Sequence, residues 1–575
     1  MDSRTNSEKE IIKRIRIAFL VLFVISAILL TRLFFLQVVS GAYYKTQASR
    51  QQNFSQVLTP RRGEIYLRER SGEQFPLAST KEGYLLFINP KKLENPEEVF
   101  AKLSRVADLD REEFFMRAAK KTDPYEVVAH NLERTEAEKI EALEIENIGV
   151  VPEEWRVYPA KSMASHVVGF LGYKDDELLG QYGLERYFED ILRGTTGWVA
   201  GSQSAGGIIL ELGRRLFSPP EEGYDIVLTL EPNVQVFIEK KLKEIKETWQ
   251  PSRGGAVVMD PQTGKILAMA AFPNFDPNNY GDEESLNVFV NPLVENIYEF
   301  GSVFKPLTVA AGLDKGVITP ETTYYDHGFL ELDGFTIRNF DGKGRGETTI
   351  QKVLEESLNT GAAFVAQKLG KKSMKEYFEN YGLAEKTNIT LPGEVKGNLA
   401  NLNSTREVEF ATASFGQGVA TTPIAFARAA ASLANGGKLV EPYLVERVIR
   451  PGREDVVYEA KKARQILKPE TSETISRMMV KVADDALLGG TVKFKHWTAA
   501  AKTGTAQIPS PDGKGYSEEY LHSFLAWAPG FDAKFLLFMY IEKPQGVRYG
   551  SQSLGPYYDD IMQFLLTYYD VPPDR

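Results

Sequence analysis

Cysteine is absent from all 575 residues. Disulfide frameworks, thiolate metal centres and cysteine nucleophiles are therefore excluded together. Histidine is scarce. His130, His166, His327, His496 and His522 are the full set, and no two are spaced like a zinc pair, so no metal and no cofactor is expected. Positive charge does not predominate either. The 68 Lys and Arg stand against 78 Asp and Glu, a formal net charge of −10, which argues against a nucleic-acid binder. No internal repeat and no low-complexity tract is visible. What is present is a globular balance, 43% hydrophobic and 25% charged, which excludes global disorder. The chemistry falls to Ser, Lys, Asp or Glu.

Long apolar runs are confined to the N-terminus. Residues 17–30 read IAFLVLFVISAILL, and after Thr31 and Arg32 the sequence LFFLQVV continues to Val39. The first run alone is short for a bilayer, but residues 17–39 together cross one if Arg32 snorkels to the far interface. Lys9, Lys13, Arg14 and Arg16 precede the run, and only Lys45 and Arg50 closely follow it. The positive-inside rule then makes residues 1–16 a cytoplasmic tail and puts everything after residue 39 outside, on a single-pass anchor in the cell (inner) membrane. A cleaved signal peptide would share the charged start and apolar core. Leu33 to Val39 outruns a typical signal core and no small-x-small site follows Leu30, which favours the uncleaved anchor.

Residues 40–230 mix β-like runs, such as 84–88, with charged helical patterns, such as 133–143. A turn-rich stretch at 219–223 precedes a strand-like run at 225–230 and a polar helical run at 234–249. Apolar stretches at 256–259 and 266–269, separated by Asp260-Pro261-Gln262-Thr263-Gly264, predict a hairpin. A large C-terminal α/β domain is placed at 231–575.

Three short patterns follow in order within it: Ser302-Val303-Phe304-Lys305, Ser357-Leu358-Asn359 and Lys502-Thr503-Gly504-Thr505. Ser302 and Lys305 are three apart and share one face of a helix. A serine hydroxyl needs a base within hydrogen-bond reach, and a lysine serves only if burial or a neighbouring cation lowers its pKa. Lys502 can be that cation, and can also attract a substrate carboxylate. Thr503-Gly504-Thr505 reads as a strand that lets a substrate backbone approach at the glycine. Each pattern alone is common enough to be a surface pair or a turn. Glu-Glu-Ser-Leu-Asn even occurs twice, ending at Asn287 and at Asn359. Order decides between the copies, because only Ser357 follows Ser302 and opens an apolar helical pattern through Leu369.

The triplet S-x-x-K, S-x-N, K-T-G resembles that of penicillin-binding proteins and class A β-lactamases. Tyr298-Glu299-Phe300-Gly301-Ser302-Val303-Phe304-Lys305-Pro306 is similar to Y-E-P-G-S-x-F-K-P of the former, with Phe300 for the usual proline. Phe415-Gly416-Gln417-Gly418 with Thr421-Thr422-Pro423 resembles another segment near their active site. In the N-terminal half, residues 32–38, Arg62-Gly63-Glu64-Ile65, Arg156-Val157-Tyr158-Pro159, Ser165-His166-Val167-Val168-Gly169 and Tyr182-Gly183-Leu184-Glu185 resemble the class B branch. Leu67 stands where that branch has Asp. The chain is thus identified as a class B penicillin-binding protein. The resemblance implies a transmembrane helix, an elongated α+β non-catalytic pedestal (dimerisation-like) domain at 40–230, and a C-terminal α/β, β-lactamase-like transpeptidase domain whose central antiparallel sheet is flanked by helices.

The implied roles are Ser302 as nucleophile, Lys305 as its base, Ser357 and Asn359 as proton relay and holders of the substrate amide, and Lys502 with Thr503 at the donor's carboxylate side. Thr503, Gly504 and Thr505 would form the substrate-binding strand, with the N–H groups of Ser302 and Thr505 as oxyanion hole. The implied substrates are peptidoglycan stem peptides ending in D-Ala-D-Ala, with β-lactams as inhibitors. The implied partner is a polytopic membrane glycosyltransferase of the shape, elongation, division and sporulation family. Asn359 favours the division type over the elongation type, whose motif ends in Asp. Among rivals, a β-lactamase or sensor needs a separate deacylating carboxylate, which Glu355, so close to Ser357, does not supply. A bifunctional enzyme lacks its E-D-x-x-F motif here, and a silent scaffold would not need all three patterns. His496 and His522 read as structural or substrate-adjacent and not catalytic, and Trp527 as core and not a sugar platform.

Overall fold

A long apolar run builds most of the first element. Helix α1 (Ser3–Phe34) continues into a π-helical turn at Phe35–Val39, and Lys13–Val39 is long and apolar enough to cross a membrane. The computed structural model describes residues 3–40, 53–175, 177–203, 209–211, 217–458, 460–510 and 515–575. Contacts divide the chain into two units, Met1–Arg61 with Arg193–Gly223, and Arg62–Leu192 with Tyr224–Arg575. In the first unit the apolar side chains of α1, such as Phe19, Phe23 and Leu30, are exposed. That unit also holds a small antiparallel sheet in which Gly197–Gln203 pairs with Asn53–Leu58, Ile209–Glu211 and Phe217–Ser218.

In the second unit, β1 (Ile65–Arg68) pairs antiparallel with β2 (Gln74–Ile88), which pairs in turn with β3 (Glu126–Leu132) and β4 (Ile148–Val157). Between β3 and β4 runs helix α2 (Arg134–Glu141), the charged helical pattern of the sequence. Its Ala137 and Ile140 are buried while its Glu and Lys side chains face solvent. Leu86, Ile88, Leu103, Phe114 and Ile140 form a separate core here. β1 also pairs in parallel with β5 (Asp225–Leu228), and β5 pairs with Val445–Ile449 from far along the chain. One sheet therefore runs from the pedestal segment into the C-terminal segment.

The N-terminal sequence patterns meet at one buried point. Glu185 is fully buried and accepts from Arg62 (2.6 Å) and Arg156 (2.7 Å), and Arg62 also reaches Glu189 at 2.8 Å. Tyr158 adds its hydroxyl, 3.4 Å from Glu185, and accepts from the Leu171 N–H. Burial raises the pKa of the Glu185 carboxyl, but the two guanidiniums more than offset it and hold it below its ordinary value. Beside this knot Gly169 and Gly183, both at positive φ, touch backbone to backbone. A Cβ on Gly183 would lie 2.4 Å from the Gly169 nitrogen, so no side chain fits. Leu67 is buried in β1 opposite Phe75, so the position where the family has Asp is an apolar core position here.

The C-terminal sheet orders β7 (Ile266–Phe272), β6 (Arg253–Met259), β10 (Phe535–Glu542), β9 (Tyr516–Ala528) and β8 (Ala500–Pro509), antiparallel throughout. The expected hairpin at 256–269 is β6–β7. Alternation in β6 sends Ala256 and Val258 to one face and Val257 and Met259 to the other, and all four are buried because both faces are covered. Helices α3 (Pro232–Trp249) and α8 (Gly550–Tyr568) cover the first face through Val234, Ile238, Leu242, Leu554, Ile561 and Leu565. Helices α4 (Lys305–Lys315) and α7 (Pro423–Ala434) cover the second, and Trp527 is fully buried in the same core.

Candidate active site

Ser302 sits in a single 3-10 turn, Gly301–Phe304, that runs directly into α4, of which Lys305 is the first residue. The turn is fixed from three sides. Ser523 Oγ donates to the Phe300 carbonyl at 2.7 Å, the Gly301 N–H donates to the Gly416 carbonyl at 3.2 Å, and the Phe300 ring is buried against Tyr298, Phe426, Phe538 and Tyr540. Phe300 thus replaces the family's proline with an aromatic anchor: packing, not a fixed φ, holds the turn.

Lys305 is completely buried. Its Nζ donates to the Ser357 carbonyl (2.5 Å) and to Asn359 Oδ1 (2.8 Å), and lies 3.2 Å from Ser357 Oγ. Ser357 stands at φ +55, between helices α5 (Ile350–Glu355) and α6 (Asn359–Leu369), and this left-handed residue turns its carbonyl toward the lysine. Lys502, in β8, is also buried and donates to Ser357 Oγ at 2.9 Å and to the Thr503 carbonyl at 3.0 Å. The Ser357 hydroxyl therefore joins two lysines.

Electrostatics follow from that geometry. Burial, and secondly the charge of Lys502, hold the pKa of Lys305 well below its ordinary value, and burial lowers that of Lys502 to about 7. A neutral Lys305 has two N–H groups for the two carbonyl-type acceptors, which leaves its lone pair for a hydroxyl. That is the condition a general base must meet.

One cavity of about 750 Å³ gathers Ser302, Ser357, Asn359, Lys502, Thr503 and Thr505. Lys305 lies behind it, attached through Ser357 and Asn359. Gly504, between the lining residues Thr503 and Thr505, is not itself among the lining residues. Strand alternation turns Gly504 inward, where a Cβ would lie 2.1 Å from Ser523 Oγ and 2.5 Å from the Phe300 carbonyl. The glycine lets β8 pass under the Ser302 turn, while Thr503 and Thr505 face the cavity. Thr505 Oγ1 accepts from the Gly550 N–H at 3.0 Å, tying the strand to the start of α8.

Phe415 and Gln417 of the F-G-Q-G segment line the same cavity. So do Arg338, Phe340, Arg548 and Tyr549, which no sequence pattern singled out, since they lie on a hairpin and a loop without motif spacing. Glu355 lines it too, but its carboxylate pairs with Lys352 at 2.6 Å. His522 is buried under Thr505 in the neighbouring strand, between Ser553 Oγ and the Arg548 carbonyl, and burial lowers its pKa to about 4. It is neutral and structural. Both ring nitrogens are engaged, one with Ser553 Oγ and the other with the Arg548 carbonyl, so neither pairs with Ser302.

The penicillin binding protein transpeptidase domain matches residues 254–563, and the penicillin-binding protein dimerisation domain matches 57–228. The chain is 31% identical over 572 residues to stage V sporulation protein D of Bacillus subtilis, covering 98% of this chain and 87% of that protein. The chain belongs to the class B penicillin-binding proteins. As a member it is a serine D,D-transpeptidase of cell-wall synthesis. Other relatives include the probable peptidoglycan D,D-transpeptidase PenA of Neisseria meningitidis, 27% identical over 579 residues, covering 98% of this chain and 94% of that one. Penicillin binding protein 2X of Streptococcus thermophilus has the same fold, with a TM-score of 0.73 at 21% identity, covering 89% of this chain and 80% of that structure.

Proposed function

We propose that Ser302 is the nucleophile and Lys305 its base in a transpeptidation that cross-links stem peptides at the septum. The observation that carries this reading is the buried lysine pair on Ser357, beside the serine in one cavity. Ser302 Oγ attacks the carbonyl of the D-Ala-D-Ala bond and passes its proton to the neutral Lys305. The C–N bond breaks, the departing D-Ala amine takes up the proton through Ser357, and an acyl-ester on Ser302 remains. A neighbouring stem's amine then attacks that ester, forming the cross-link and returning the proton to Ser302. The Ser302 and Thr505 N–H groups would face the developing oxyanion, and Lys502 with Thr503 would hold the donor's terminal carboxylate.

In this reading residues 40–230 are the pedestal, residues 231–575 the transpeptidase domain, and residues 17–39 an anchor with residues 1–16 in the cytoplasm. The partner is a polytopic membrane glycosyltransferase of the shape, elongation, division and sporulation family. The septal assignment rests on Asn359, whose Oδ1 accepts from Lys305. A fluorescent fusion should gather at midcell in dividing cells, and a uniform lateral signal would move the protein to elongation. Labelled penicillin should acylate Ser302 alone and persist there, because Glu355 is held by Lys352 and activates no water. Label elsewhere after digestion, or full labelling of Ser302→Ala, would reject the nucleophile.

A further inference from the structure

The cavity around Ser302 is basic in a protein whose formal net charge is −10. Its two lining carboxylates are engaged. Glu355 pairs with Lys352, and Glu356 pairs with Arg345 at 2.8 Å. Arg345 is itself closed off by Asp341 at 2.9 Å. Arg338 and Arg548 differ from it. Both line the cavity, both are exposed, and neither meets a carboxylate among the described residues. Instead each guanidinium lies over an aromatic ring, Arg338 over Phe329 at 5.8 Å and Arg548 over Tyr549 at 5.5 Å.

The two arginines stand on opposite walls. The Arg338 carbonyl accepts from Asn359 Nδ2 at 2.9 Å, so this residue is fixed to the serine–asparagine side. The Arg548 carbonyl accepts from His522 Nε2 at 3.1 Å, two residues ahead of the Gly550 N–H that holds Thr505, so it is fixed to the strand side. The rings of Phe340 and Tyr549 join the walls, edge to face at 5.8 Å. Stacking leaves the forked donors of each guanidinium available for a planar acceptor while keeping the group preorganised.

We infer that Arg338 and Arg548 recognise carboxylates on the body of the donor peptide, additional to the C-terminal carboxylate held at Lys502 and Thr503. The inference rests on the transpeptidase reading and deepens it: the preferred donor is a peptide whose residues before D-Ala-D-Ala carry free carboxylates, not carboxamides. Lys502, with a pKa of about 7, is only partly charged at neutral pH, whereas guanidinium charge is permanent. The two arginines therefore give a pH-independent attraction for anionic peptides that weakens with salt.

The test uses the full chain in detergent micelles and two synthetic pentapeptides ending in D-Ala-D-Ala, identical except that the carboxylates of their second and third residues are free or amidated. Acyl-enzyme formation is followed by intact-protein mass spectrometry. The free-acid donor should acylate Ser302 about tenfold faster, which corresponds to about 1.4 kcal/mol and lies within what two exposed ion pairs supply. Arg338→Gln with Arg548→Gln should reduce that ratio to near one by slowing the free-acid donor only, and the Lys double variant should restore part of it. Equal rates for the two donors in the wild type, or equal slowing of both in the Gln variant, would overturn the inference. Penicillin labelling run in parallel separates the failures. Labelled Ser302 without donor discrimination rejects only this inference, whereas unlabelled Ser302 in the wild type rejects the transpeptidase site and the inference with it.

Discussion

Two lysines a hydroxyl apart cannot be equivalent, because one carries charge so that the other need not. In the proposed mechanism Lys305 must lose its proton to serve Ser302, and Lys502 would act mainly through its charge and its hydrogen bond to Ser357. Arginine keeps the charge but cannot be deprotonated at working pH. Lys305→Arg should therefore lose penicillin acylation nearly as completely as Ser302→Ala, while Lys502→Arg keeps a measurable part of the rate. Equal tolerance at the two positions in stopped-flow labelling would show the roles to be misassigned. Burial has a second consequence at Lys502. Its folded pKa of about 7 lies below the unfolded value of 10.5, so between those pH values the unfolded chain binds more protons and stability rises with pH. Relative to Lys502→Met, which cannot titrate, the wild type should be least stable below pH 7 and gain steadily as pH climbs toward 10.5. Thermal midpoints of the two proteins across that range check the sign, and a constant difference would contradict it.

At the scale of elements, the pentapeptide Glu-Glu-Ser-Leu-Asn measures how far local sequence reaches. In the first copy Ser285 caps a short 3-10 turn and Leu286 is 73% exposed, while in the second Leu358 is fully buried and Ser357 reaches both lysines. Five identical residues have two fates. The difference lies in the residues immediately downstream, Val288 to Pro292 in one case and the apolar face of α6 in the other, which is the distinction that order and context drew between the copies. The helix and strand patterns at 84–88, 133–143, 225–249 and 256–269 were legible because apolar periodicity determines such elements directly. The Arg62–Glu185–Arg156 knot was not. Its motifs are spread over residues 62–185, and only long-range pairing brings them together. That knot predicts a large local effect. Glu185→Gln leaves two buried guanidiniums without their carboxylate and should cost about 3–5 kcal/mol, the usual penalty for breaking a buried pair. Glu189→Gln, at the more exposed edge of the same network, should cost far less in the same chemical unfolding experiment. Similar values for both would mean the knot is not the keystone of this region.

At the scale of the whole molecule, the division into units was less legible than the site. A boundary near residue 231 follows from turn residues and a change of pattern, yet β5 pairs with β1 on one side and Val445–Ile449 on the other. Sheet continuity across distant segments leaves no local mark in composition, so sequence reading finds the turn and misses the shared sheet. The anchor poses the converse problem, since its length and charge flanks are plain in sequence but its purpose is not. Phe23, Ala27 and Thr31 of α1, with Phe35 of the π-helical turn, line a shallow groove, and Thr31 turns its hydroxyl back to the Ala27 carbonyl at 2.8 Å, so the small Ala27 and Thr31 leave room between the two rings for another helix. The partner proposed above, a membrane-embedded glycosyltransferase, would meet this face. Replacing residues 17–39 by an unrelated span of equal length separates a docking helix from a tether. Every proposed catalytic residue lies in the second unit, so penicillin labelling of Ser302 should be unchanged. Co-purification with the polymerase, and stimulation of its activity, should be lost. Full complementation with co-purification intact would make the anchor a tether, leaving the contact to the pedestal segment or to no part of this chain.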